Sequence, residues 1–145
     1  YKILNADGFS MELQNQDNNR INLVFNYVKD HFQEPILLDD VSELVSMTTP
    51  SFCRYFKKIT NKTFTTFVNE YRLVHASKLL AEKPMSITEV CFESGFNNFS
   101  HFNKLFKTYT GDSASQYRQK LRSVICCKKL KAVKINFRQP FELPY

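Results

Sequence analysis

The chain has 145 residues, a length that allows one domain or two small ones, with 20 Lys and Arg against 14 Asp and Glu and a formal net charge of +6. Its 14 Phe and 7 Tyr supply enough large side chains for a core, which excludes a wholly disordered chain, and no apolar run reaches the ~18 residues a membrane span needs. With 3 Gly and neither GxGxxG nor a P-loop pattern, nucleotide-binding α/β enzymes drop out.

Residues 1–19 hold a polar run, Gln14 to Asn19, and no sustained apolar period, and they read as a linker. From Arg20 the pattern changes: Ile21, Val24, Phe25, Val28 and Phe32 recur at three and four residues, which predicts a first amphipathic helix ending before Pro35. Two segments that resemble each other follow. Val41, Ser42, Met47, Phe52, Arg54, Phe56, Lys57 and Thr60 stand in the same order as Val90, Cys91, Phe96, Phe102, Lys104, Phe106, Lys107 and Thr110, offset by 49 residues before the turn and 50 after it.

Each copy reads as helix, tight turn, helix. In the first, Thr49 is the expected N-cap of the second helix and Pro50 its first residue, where a missing N–H is harmless. The second copy opens with Ser86-Ile87-Thr88-Glu89, a capping box; Gly95 then ends that helix, and Asn97 or Asn98 caps the next, which runs to Gly111. Ser42 and Cys91 put a small side chain at the same place in each leading helix, where the paired helices can cross closely. Between the copies a long helix is expected over about Thr63 to Lys83. Phe64, Phe67, Val68 and Tyr71 share one face of its first half, and Leu73, Ala76 and Leu80 point elsewhere in its second, the pattern of a connector packed against two bodies. Residues 124–145 carry five Lys and Arg against one Glu, with Val133 to Phe137 in strict alternation, which suggests a short strand or an extended arm.

A helix-turn-helix places its second helix in the DNA major groove, where residues near its start meet base edges while cations and hydroxyls meet phosphates. The second helices, about 49–60 and 98–110, have polar faces suited to this. Ser51, Arg54, Lys57 and Lys58, with the expected cap residue Thr49 beside them, are the candidate DNA-binding residues of the first copy on this ground. Asn97, Asn98, Ser100, His101, Lys104 and Lys107 are those of the second. Arg and Asn can read guanine and adenine bidentately. Cations on a helix face are often merely solvated, but here they recur at matched positions of a repeat, which favours DNA.

The stretch SITEVCFESGFNNFSHFNKLFKTYTGDSASQYR resembles the second helix-turn-helix and closing helix of the AraC/XylS-type bacterial transcription regulators, and LLDDVSELVSMTTPSFCRYFKKITNKTFTTFVNEYRLVHASKLL resembles the first with its connector. The resemblance covers roughly residues 20–122. It implies an all-α domain of about seven helices over residues 20–123, with two helix-turn-helix subdomains on a long connector helix and two recognition helices that enter successive major-groove segments. Pro50, Cys53, Arg54, Ser100, His101 and Lys104 match the family's base-contacting positions. The family usually has Ala where Ser42 and Cys91 stand, and Pro where Ala114 stands; Ser113 can still cap the last helix. The tail at 124–145 has no counterpart in the family pattern.

Catalysis is the first rival reading, but His31, His75 and His101 lack partners at a triad or ligand spacing. A helical protein-interaction module is the second, and it differs from a DNA-binding domain in its response to salt. The expected function is sequence-specific transcription regulation in the bacterial cytoplasm, without enzymatic activity. The expected partners are double-stranded DNA and RNA polymerase, with neither membrane, metal nor cofactor, and a small-molecule effector acts only through a sensing domain outside this chain, to which residues 1–19 would lead. Cys53, Cys91, Cys126 and Cys127 show no CxxC spacing, which fits a reducing compartment; no signal peptide is visible, and the start at Tyr1 reads as a fragment.

Overall fold

A computed structural model describes residues 2–126, with side chains from 16 to 123. The described residues form seven helices and no strand: α1 (Lys2–His31), α2 (Leu38–Leu44), α3 (Thr49–Thr60), α4 (Phe64–Glu82), α5 (Ile87–Glu93), α6 (Phe99–Thr110) and α7 (Ala114–Cys126). The alternating stretch 133–137 and the rest of the basic tail lie outside the described residues. The chain divides into two compact units between Phe64 and Thr65.

In the first unit Ile21, Val24 and Val28 of α1 are buried, as their spacing predicts. The helix, however, begins at Lys2, so the stretch expected to be a linker is helical. Residues 2–19 contain no Pro and one Gly. A helix already nucleated by a packed segment extends at one hydrogen bond per residue fixed, with no apolar face required. The core of this unit is built on Phe rings: Phe52 lies 5.7 Å from Phe56, and Phe64 lies 5.4 Å from both. Phe25 meets Phe56 edge-on at 6.5 Å.

The second unit gathers Leu73, Ala76, Leu79 and Leu80 of α4, Val90 and Cys91 of α5, Phe102 and Phe106 of α6, and Ala114 and Tyr117 of α7 around Phe96. Tyr117 stands edge-on to Phe106 at 5.4 Å. The capping box at Ser86 and Glu89 forms as expected. A second box opens α7: Gln116 N–H donates to Ser113 Oγ at 3.3 Å, and Ser113 N–H to Gln116 Oε1 at 3.2 Å, so Ser113 restores the start that Ala114 alone would not specify.

The repeat is reproduced bond by bond. Met47 N–H donates to Ser42 C=O and Ser46 N–H to Glu43 C=O, both at 2.9 Å; Phe96 N–H donates to Cys91 C=O at 3.1 Å and Gly95 N–H to Phe92 C=O at 3.0 Å. Both turns are therefore Schellman motifs, which require a positive φ at the residue after the C-cap. Gly95 has φ +87°, and Ser46, its counterpart, adopts +56°. At the far ends of the second helices, Thr60 Oγ1 lies 2.8 Å from Phe56 C=O and accepts from Lys62 N–H at 3.3 Å. Thr110 Oγ1 makes the same pair with Phe106 C=O and Asp112 N–H at 2.8 and 3.3 Å.

Candidate nucleic-acid interface

The outward faces of α3 and α6 follow from what each helix buries. Phe52 and Phe56 are fully buried on α3, as are Phe102 and Phe106 on α6. At 100° per residue, a pair four apart leaves the opposite stripe in water. On α3 that stripe exposes Pro50, Ser51, Cys53, Arg54, Lys57 and Lys58; on α6 it exposes Ser100, His101, Lys104 and Lys107, with Asn97 and Asn98 exposed just ahead. Of the candidate residues only Thr49 is half-buried.

The start of α3 differs from expectation by one residue. Thr48 is the N-cap, Thr49 is already helical and Pro50 is second. Thr49 turns its hydroxyl back to α2, donating to Asp39 Oδ1 at 2.6 Å, and Thr48 Oγ1 donates to Ser51 Oγ at 2.9 Å instead of accepting from a backbone N–H. At α6 the N-cap is Asn98, whose Oδ1 accepts from His101 N–H at 3.1 Å. The His101 ring stands 6.3 Å from Phe96, edge to face, while remaining exposed.

Charge is sorted by helix. α3 and α6 contain Arg54, Lys57, Lys58, Lys104 and Lys107 and not one carboxylate, whereas Asp39, Asp40, Glu43, Glu89 and Glu93 sit on α2 and α5. Cations without acidic neighbours on their own helix keep their full field toward solvent, the condition for attracting a polyanion. The helices are braced from behind. Tyr55 on α3 donates its hydroxyl to Asp17 C=O of α1 at 2.8 Å, and burial, with the Asp17 carboxylate nearby, raises its pKa. In the second unit Arg72 lies 6.0 Å over the Phe96 ring, and its burial lowers its pKa. Tyr109, on α6, is pushed up to about 12 by burial and by Glu70.

Sequence reading missed Thr48, Tyr55 and Asp39. The doubled threonine Thr48-Thr49 left the cap ambiguous, and Tyr55 and Asp39 matter through contacts 38 and 10 residues away, which local patterns do not show. Among the described residues no three His, Cys, Asp or Glu side chains gather as metal ligands, and no helix is long and apolar enough to cross a membrane.

A helix-turn-helix domain family matches residues 41–120. The HTH-type transcriptional activator RhaS of Escherichia coli is 31% identical over 100 residues, covering 69% of this chain and 36% of that protein. An uncharacterised HTH-type transcriptional regulator of Bacillus subtilis, YdeC, is 29% identical over 122 residues, covering 82% of this chain and 42% of that one. The chain thus spans well under half the length of these relatives. Among solved structures, the DNA-binding domain of the global transcriptional factor AdpA, in complex with a target DNA, superposes with a TM-score of 0.65 at 23% identity, over 69% of this chain and 90% of that one.

Proposed function

Since the chain belongs to the helix-turn-helix family of AraC/XylS-type DNA-binding transcription regulators, we propose that α3 and α6 are its two recognition helices and that they enter successive major-groove segments of one promoter site. The observation that carries this is the matched pair of acid-free helices, each burying two Phe and exposing polar side chains early, Ser51 on α3 and Ser100 and His101 on α6, ahead of its cations. The DNA complex of AdpA, a protein of the same fold, supports it. On this reading Pro50, Ser51, Cys53 and Arg54 of α3, and Asn98, Ser100, His101 and Lys104 of α6, face base edges. Lys57, Lys58, Lys107 and Asn97 face the backbone, where phosphate contacts set register without reading sequence. α4 serves as the connector: Phe64 at its start packs with Phe52 and Phe56, and Leu73 to Leu80 join the second core.

The relatives lend support to a wider role. RhaS is described as an activator, and a chain that docks beside a promoter in this way would recruit RNA polymerase, in the cytoplasm, under control of an effector domain joined through residues 1–19. The test is protection of a selected duplex by the 145-residue chain. Two units reading consecutive groove faces should protect about two helical turns, since such segments lie ~34 Å apart. Protection limited to a single ~5 base-pair patch would contradict double docking.

A further inference from the structure

We propose that Asp39 is a positioning residue for the first recognition helix: through Thr49 it holds the entry turn of α3 against α2 and so fixes which edge of α3 meets the bases. The inference rests on the reading of α3 as a DNA helix.

The ordinary device for holding a helix start is absent at α3. Its N-cap, Thr48, accepts no backbone N–H, because its hydroxyl is turned to Ser51, and Pro50 brings no N–H at all. The first turn is held from the side. Thr49 Oγ1 and Asp39 Oδ1 are 2.6 Å apart, a short bond to a charged acceptor, the stronger class of hydrogen bond. Buried Ser42 completes the cluster, with its Oγ 2.9 Å from Asp39 C=O and 3.2 Å from Thr49 Oγ1. Each hydroxyl has a single hydrogen. The carboxylate takes that of Thr49, and Ser42 is left to donate either to the Asp39 carbonyl or to Thr49 Oγ1.

The second copy has no such cluster. The residues in register with Asp39, Ser42 and Thr49 are Thr88, Cys91 and Phe99, and α6 is held instead by the Asn98 cap. The two recognition helices are therefore fixed by different means, and loss of Asp39 should disturb only one of them. Thr49 correspondingly moves from the DNA-contacting set to the scaffold.

The experiment measures competition by duplexes carrying single base changes, with the 145-residue chain throughout. Base positions relaxed by Arg54→Ala mark those read from α3, and positions relaxed by Lys104→Ala those read from α6. Asp39→Ala and Thr49→Val should each lower discrimination at the α3 positions by about tenfold, the scale of one base contact, and leave the α6 positions as they were. Asp39→Asn and Thr49→Ser keep an acceptor and a donor, and should retain most of the wild-type discrimination. Unchanged α3 preferences in Asp39→Ala, equal loss in Asp39→Ala and Asp39→Asn, or loss spread over both halves would each overturn the proposal. A wild-type chain with no base preference anywhere would instead overturn the DNA-reading role of α3, and this inference with it.

Discussion

Arg54 and Lys107 stand on helices of the same design, yet one lies at the fourth position after Pro50 and the other near the C-terminal end of α6. A guanidinium early in a recognition helix can fork onto guanine O6 and N7, so Arg54→Ala should cost ~1–3 kcal/mol on the selected site and relax one base position. Lys107→Ala should weaken specific and random DNA alike. Competition assays on both DNAs separate the two, and equal losses for Arg54→Ala would remove it from the base-reading set. A second residue prediction concerns folding. His75, on α4, has its pKa lowered by burial and by Lys78 and Lys83, against the opposing pull of Glu93 and Glu82. The unfolded chain therefore takes up this proton at a higher pH than the folded one, near the ordinary ~6.5. The stabilisation from a neutral His75 is complete above that value and is lost as pH falls through the lower folded value. Thermal unfolding followed from pH 7.5 to 5 should show a decline that His75→Gln makes shallower; an unchanged slope would mean His75 does not drive it.

At the scale of the helix and its ends, the paired Schellman turns set up a direct comparison. Ser46 occupies a left-handed conformation that Gly95 occupies in the other copy, and a side chain there costs roughly 1–2 kcal/mol against glycine, part of which glycine returns as unfolded-state entropy. Ser46→Gly should accordingly raise stability by up to about 1 kcal/mol, read as a higher denaturant midpoint at constant slope. Gly111→Ala should do the reverse: φ is +85° and no atom lies within 4 Å of the added Cβ, so backbone strain alone sets the loss. These elements show what could be read from residues in a row. Phe52/Phe56 and Phe102/Phe106 announce α3 and α6, Ser86 and Glu89 announce α5, and Gly95 announces its turn. Ser46 carries no such signal, because serine seldom takes that conformation and only the repeat register points to it. The extension of α1 to Lys2 was illegible for a related reason: a helix that propagates from a packed segment needs no periodic stripe. The candidate interface was largely legible, since its residues are simply those left outside once the Phe pairs turn inward. The start of α3 was not, because Asp39 and Thr49 meet across a turn.

For the whole chain, the five cations of α3 and α6 predict how binding responds to ions. Displacing condensed counterions should give a log-log slope of affinity against salt of about −3 to −5, measured by fluorescence anisotropy on a duplex of two to three turns. A slope near zero would favour the rival reading of a helical protein-interaction module, whose apolar contacts release few ions. The repeat itself has a last consequence. The copies agree where folding demands it, at Phe52 and Phe102, Phe56 and Phe106, Thr60 and Thr110, but their outward first turns disagree: Pro50 stands against Ser100 and Ser51 against His101. A reader made of two unlike halves on one chain has no two-fold axis to share with a palindrome. Its site on DNA should have a head and a tail, so that inverting the sequence turns the bound protein end for end and points it away from whatever lies downstream.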